Sequence, residues 1–382
     1  MPQAKDQKLF EKYAHTLLLG LCFFIPIRLV LALLFLVPLA AIWSFSLIKS
    51  EELRKLTKNF IYLNRWLFIF LTITLLTISF SFNPKLALKS FFSHAGYSLA
   101  LLAISGALKY SNSNKLLVAL FSGQTIAAIH TIIEDQLPIA LRGILIGELS
   151  ESGQLALVIP LLVSFFINHF KTEKQEKTIR SFTISNLYLV GSLVILCLAI
   201  IINLKRGPWL GCAIGISVIL LKYANRWIFP FVLSILLTFS LIAPIRDRLL
   251  ASYQHFQTSG GRETIWKIGT ELISDNPLGI GIGNARIIKN LSFDIPDNLK
   301  HFHNNFLNIL VETGWCGLAA FLCWIYTILA FGFKKGANHP LAFGISGALL
   351  SWQIAGLVEY NFGDSEVLIV AYILIAILSQ RH

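Results

Sequence analysis

The chain has 382 residues, of which 55% are hydrophobic and 14% charged, with a mean hydropathy of +0.69. An average soluble domain carries roughly 25% charged residues, so a soluble globular fold is excluded. The formal net charge of +12 lies in short basic clusters between apolar runs, where membrane topology accounts for it, and it implies no nucleic-acid partner.

Apolar runs of about 17–25 residues, the length of a helix across a hydrocarbon layer, recur along the chain and predict an all-α polytopic membrane protein. Met1–Tyr13 is polar, and no small-residue cleavage site follows the first apolar run, which is expected to be retained. Pro26-Ile27-Arg28 divides Thr16–Ile48 into two short spans, a tight hairpin with Arg28 at its tip. A polar, basic segment from Lys49 to Arg65 leads to spans at 67–82, 92–108 and 116–133. After a polar connection, Glu134–Ser152, four more are predicted at 153–170, 184–203, 208–221 and 228–245.

The stretch from Arg246 to Asn304 is rich in Gly, Asn, Asp and charge and has no spanning run, so it is expected outside the bilayer core. Runs at 305–333, 341–358 and 367–378 bring the expected count to about twelve. The predicted organisation is transmembrane helices one to nine in residues 1–245, one long loop in 246–304 and helices ten to twelve in 305–382.

Lys and Arg separate by side. Lys49, Arg54, Lys55, Lys58, Arg65, Lys109, Lys115, Lys171, Lys174, Lys177, Arg180, Lys222, Arg226, Lys334 and Lys335 fall on the same side as both termini, whereas the short loops opposite hold only Arg28, Lys85, Lys89, Arg142, Lys205 and Arg206. The positive-inside rule places both termini in the cytoplasm and the long loop outside. Cys22, Cys197, Cys212, Cys316 and Cys323 lie in or beside apolar runs without paired zinc-type spacing, so neither a disulfide framework nor a metal site is implied.

Cations in the outer loops oppose the topological bias and ask for another reason. Arg206 stands in Lys205-Arg206-Gly207-Pro208-Trp209-Leu210-Gly211, where Pro208 can open a helix and Trp209 can anchor it at the lipid boundary. Gly211 and Gly215 have the spacing of close helix packing. In the long loop, Gly279, Gly281 and Gly283 alternate, but Asn284 occupies the position where a dinucleotide fingerprint needs glycine. A tight re-entrant turn is the expected use of these glycines.

His301-Phe302-His303-Asn304-Asn305 immediately precedes the tenth span. The two histidines lack a third ligand at usable spacing, Asn304 or Asn305 can be the helix N-cap, and an imidazole there can take a proton from a sugar hydroxyl. Glu312 lies about two turns into the span, where an ionisable group is expected to face a polar cavity or a partner such as an arginine.

Five segments in order, Arg206–Gly211, Gly261–Trp266, Asn276–Asn284, His303–Gly317 and Glu359–Glu366, resemble the O-antigen ligase and polymerase superfamily of bacterial envelope glycosyltransferases. The most specific is His303-Asn304, nine residues, then Gly314-Trp315-Cys316-Gly317, which fits the ligases' H-[NSQ]-x9-G-x-x-[GTY] pattern. The resemblance covers about Arg142 to Glu366; the first 130 residues agree only in hydropathy and span number.

It implies a twelve-span inner-membrane enzyme of GT-C-like character that takes a glycan from undecaprenyl diphosphate on the periplasmic face and gives it to lipid A-core, among membrane lipids and without metal, cofactor or nucleotide sugar. The family's essential arginine after the seventh span maps to Arg206, its long-loop arginine before a Trp to Arg262, and its loop histidine to His303. Arg206 and Arg262 are then expected to neutralise the departing diphosphate, and His303 to deprotonate the acceptor hydroxyl for an inverting displacement. His301 is either an orienting helper or a surface residue. Arg142, Arg28 and Glu312 are further candidates. An O-antigen polymerase using the same donor, an oligosaccharyltransferase of similar topology and, from another class, a solute transporter are the competing readings; the crowding of notable residues on one face speaks against transport.

Overall fold

A computed structural model describes residues 3–134, 137, 148–175, 184–243, 245–247, 250–251, 261–290 and 299–380. Among these the regular structure is helical throughout, with no strand. In chain order the helices are α1 (Gln3–Phe24), α2 (Leu29–Lys49), α3 (Glu51–Leu63), α4 (Arg65–Leu76), α5 (Pro84–Leu108), α6 (Ser113–Ile133), α7 (Glu148–Gln175) and α8 (Ile184–Ile202). They continue as α9 (Arg206–Tyr223), α10 (Ile228–Leu241), α11 (Arg262–Asp275), α12 (Asn305–Gly336), α13 (Pro340–Ala355) and α14 (Ser365–Gln380).

A helix falls on each of the twelve apolar runs. By length and composition, α2, α5, α6, residues Ser150–Phe170 of α7, and α12 can each cross a membrane, and α3 with Arg65–Phe80 meets the same criteria only as a pair, bent by 75° as in a broken span or a re-entrant loop. Asn186–Ile202, Asn225–Leu241, Pro340–Ala355 and Ser365–Gln380 are shorter apolar helices. The protein is a multi-pass membrane protein.

One segment differs from its sequence reading. Lys49–Arg65 was expected to be a polar connection, and most of it forms α3, an amphipathic helix with Leu53, Thr57 and Phe60 buried at helical spacing. Ser50 caps it, its hydroxyl accepting from the Leu53 amide, with Glu51 and Glu52 in the first turn. The bend to α4 falls at Asn64, whose amide group donates to the Phe60 carbonyl while its Oδ1 accepts from Trp324 Nε1 at 3.1 Å.

In lipid there is little hydrophobic drive between helices, so close approach through small residues decides the packing. The most extensive contacts join α13 to α9 and α7. A Cβ on Gly211 would lie 2.4 Å from the Ser351 carbonyl oxygen, and one on Gly215 would lie 2.8 Å from that of Gly347. The Gly211/Gly215 spacing thus serves the packing expected of it. α14 is apolar on every side and accordingly buried all round, with Val367 to Leu378 at most 2% exposed.

These antiparallel helices sort the connections to two ends. The turns before α5, α9 and α14, the described parts of 261–304 and the start of α12 gather at one, through contacts such as Phe82 N–H to Ile280 O and Asn305 N–H to Gly356 O. Lys222, Lys334 and Lys335 lie at the other, where the Tyr223 hydroxyl donates to the Gly336 carbonyl.

Candidate active site

The start of α12 is built by three consecutive residues with separate tasks. Asn304 is the N-cap, its Oδ1 accepting from the Leu307 amide at 3.0 Å while its Nδ2 donates to the Leu357 carbonyl. Asn305 turns inward as a latch: its N–H donates to Gly356 O at 2.7 Å, its Nδ2 to Asn361 Oδ1 at 2.6 Å, and its Oδ1 accepts from the Phe362 amide at 3.0 Å. The α13–α14 connection is thereby tied beside His303, which has a φ of +50°. Among described residues only Leu204 shares positive φ without being glycine. Such strain persists where the surroundings over-determine it, and it clusters at functional positions.

The latch brings Glu359 between two of the three residues expected to do chemistry. Arg262, the first residue of α11, donates from Nη2 to Glu359 Oε1 at 3.1 Å, and His303 Nδ1 lies 3.8 Å from Glu359 Oε2. The latter is an ion-pair distance, outside hydrogen-bond range. All three side chains keep partial exposure: Arg262 23%, His303 30% and Glu359 19%. Burial acts to raise the Glu359 carboxyl, but contact with His303 and the charges of Arg262 and Lys205 outweigh it and hold the group below its ordinary value.

Arg206 opens α9 beside this cluster. A Cβ on the following residue, Gly207, would stand 3.1 Å from Glu359 Cγ and 3.0 Å from the Ala355 carbonyl oxygen, so the turn needs glycine to lie this close. Trp209 is not the boundary anchor its sequence position suggested. It is 9% exposed and donates from Nε1 to Ile200 O at 2.6 Å, locking α9 onto the end of α8.

His301 packs its ring edge-on against His303, with centroids 4.4 Å apart, and lies 5.4 Å from the Tyr360 ring. Its Nδ1 accepts from the His303 amide at 3.3 Å. Burial, and then the neighbouring His303 charge, lower it to about 4, so it is neutral at physiological pH. Phe302 between them is fully buried in a small core with Ile265, Ile280, Ala285, Ile288, Leu299 and Val311, and its carbonyl accepts from Trp266 Nε1 at 3.0 Å. This core seats α11, and with it Arg262, against the histidines.

The glycine loop follows from backbone accounting. α12 breaks at Gly314, with φ +69° and ψ −175°, which deprives the Val311 and Glu312 carbonyls of their helical partners. Ile280 N–H donates to Val311 O and Gly281 N–H to Glu312 O, both at 2.9 Å, while Trp315 N–H turns to Pro277 O at 3.3 Å. Gly279 and Gly281, each at φ +90°, let the loop lie directly on the break. Non-helical backbone near a span is tolerated where protein satisfies it in this way.

Glu312 is buried, and its Oε1 accepts from the Ala285 amide at 3.1 Å, with the Gly283 backbone also bonded to the carboxylate. It pins the loop. Arg28 is the residue preceding α2, in the hairpin turn as expected. Arg142 lies outside the described residues. Among the described residues, no three His, Cys, Asp or Glu side chains form a metal-binding group.

Glu359 was the residue the sequence reading missed. Its signal was present in the acidic stretch Glu359–Glu366 between two apolar runs on the side of Arg206, but nothing local said which carboxylate would meet Arg262.

Fold and site together define a polytopic helical membrane protein with a polar, cation-bearing cluster at one end of its bundle. The family profile described as O-antigen ligase matches residues 191–322, which include Arg206, Arg262 and His303 but not Glu359. The chain is 28% identical over 163 residues to a protein of Rickettsia typhi, covering 38% of this chain and 40% of that one. It is 32% identical over 172 residues to one of Rickettsia felis, covering 40% of this chain and 42% of the relative. Both relatives carry the name "Putative polysaccharide ligase". The matches thus span about two fifths of the length of these relatives, and they support membership of the O-antigen ligase superfamily.

Proposed function

We propose that this chain is an inner-membrane glycosyltransferase of O-antigen ligase type, passing a glycan from undecaprenyl diphosphate to lipid A-core at the periplasmic face. In this reading the chain crosses the membrane about twelve times with both termini in the cytoplasm. The observation that carries the proposal is the meeting of Arg262 and His303 on Glu359, next to the turn that bears Arg206.

The chemistry follows from those positions. A lipid diphosphate presents its phosphates at the membrane surface, where guanidinium groups bind them with paired hydrogen bonds. Arg206 and Arg262 stabilise the charge that grows on the leaving diphosphate as the sugar–oxygen bond breaks. His303 faces Glu359 with Nδ1, which leaves Nε2 to take the proton of the acceptor hydroxyl as its oxygen attacks the anomeric carbon from the opposite side. The Glu359 charge, 3.8 Å from Nδ1, favours the proton on that nitrogen. Arg262 exchanges this carboxylate for the diphosphate when the donor arrives.

The test is the lipopolysaccharide profile of a strain lacking the protein and complemented with Arg206→Ala, Arg262→Ala or His303→Ala. Core without O-antigen, with lipid-linked polymer accumulating, is the expected result. Core carrying a single repeat means a polymerase, and unchanged profiles with altered solute uptake mean a transporter.

A further inference from the structure

At the same end of the bundle a second polar knot lies beneath the surface. Glu151, in the second turn of α7, is fully buried, and its Oε2 accepts from two helices at once: from Thr131 Oγ1 at the end of α6, at 2.5 Å, and from Asn203 Nδ2 just beyond α8, at 3.2 Å. One turn further along, Gln154 is also fully buried and donates from Nε2 to Ile25 O, at 3.3 Å, in the hairpin turn before Arg28. A carboxylate is costly in such a place, and its position close to the N-terminus of α7 offsets part of that cost.

The tie on Asn203 is suggestive because of what comes next. Leu204 has a φ of +50°, a conformation a leucine side chain disfavours, and Lys205 and Arg206 follow directly. With Asn203 held by Glu151 and Trp209 held by Ile200 O, the turn is clamped on both sides of Arg206.

We propose that Glu151 is a positioning residue for donor recognition: through Asn203 it holds the α8–α9 turn in the strained form that presents Arg206. This rests on the reading of Arg206 as a diphosphate ligand. Glu151 touches no substrate. Both described hydrogen bonds end on one oxygen, so an amide can serve in its place, whereas an aliphatic side chain cannot.

The experiment uses the full chain in nanodiscs of neutral lipid, with two readouts. Amide hydrogen exchange over residues 199–210 reports the turn, and binding of undecaprenyl diphosphate reports Arg206. Glu151→Leu and Asn203→Ala are expected to accelerate exchange in that stretch and to weaken binding about tenfold, the scale of one buried hydrogen bond lost. In an Arg206→Ala background neither weakens binding further, and Glu151→Gln restores both readouts. Asn203→Ala keeps the test open if Glu151→Leu does not fold.

Unchanged exchange in the variants overturns the proposal. So does faster exchange with unaltered binding, or a loss that adds in full to that of Arg206→Ala. If the parent chain fails to bind the probe, the ligase reading falls with the donor link, and the exchange result alone upholds or overturns the anchor.

Discussion

The two ends of the bundle use their cations differently. At the lysine-rich end, Arg54 donates to Ile48 O at 2.6 Å and Lys335 to Leu378 O at 3.0 Å, closing the C-terminal turns of α2 and α14. Lys49, Arg65 and Lys335 lie over the rings of Phe45, Tyr62 and Phe331. These are the contacts that helix dipoles and interfacial aromatic residues supply wherever a cation stands near a helix end. At the opposite end Arg262 meets a half-buried carboxylate that also faces a histidine. Topology accounts for the first set and not for the second, which is why the second is read as chemistry.

The strongest way to break this contrast is to exchange the two kinds of cation for alanine. Arg262→Ala or His303→Ala should reduce glycan transfer by about 10²-fold or more in a reconstituted assay. Lys335→Ala or Arg54→Ala should leave transfer intact and cost about 0.3–1 kcal/mol in thermal unfolding. Similar losses from both sets would erase the distinction.

The break in α12 sets the end that holds Arg262 and His303 apart in backbone geometry as well. A Cβ on Gly314 would stand 2.5 Å from the Leu278 backbone and 2.6 Å from Pro277 O, at a φ of +69°. Gly314→Ala should therefore destabilise the protein by roughly 3 kcal/mol, measured as the midpoint of thermal unfolding in detergent.

A third test is by pH. Burial first, and then the charges of Glu366 and Glu359, raise Asp364 from 3.8 to about 7. A carboxyl raised in this way holds its proton more tightly folded than unfolded, so its contribution is full at low pH and is lost as pH rises through that window. Asp364→Asn should accordingly be more thermostable than the parent above pH 7 and equal to it below 3.8. The depressed Glu359 acts in the opposite sense, its contribution being present above the ordinary carboxylate value and lost as pH falls. The smallest effect is expected away from both ends. No residue of α10 is buried, and Leu237→Ala should change stability by less than about 0.5 kcal/mol.

Hydropathy carried the helices because a spanning helix must be apolar along its whole length, and the boundaries of α6, α8 and α9 lie close to their runs, whereas α5 begins eight residues before its run, in the polar turns that follow Pro84. It failed for α3 because an amphipathic helix has no net hydropathy, only a periodic face. The candidate residues Arg206, Arg262 and His303 were legible because they stand in the motifs that carry the family resemblance, and the structure brings Arg262 and His303 together on Glu359. Glu359 and the Asn305 latch were not legible, since both act across more than 50 residues of sequence, between His303 and the α13–α14 connection. Pairings of that kind are set by helix packing, which no local pattern encodes.

The central claim is that the Arg262, His303 and Glu359 cluster works on a lipid-linked diphosphate. Steady-state transfer by the purified full chain in nanodiscs, with KM for the lipid-linked donor separated from kcat, tests it most directly. The account predicts that His303→Ala lowers kcat with the donor KM kept, and that Arg262→Lys raises the donor KM. Both variants transferring glycan with the parent's kinetics would contradict it.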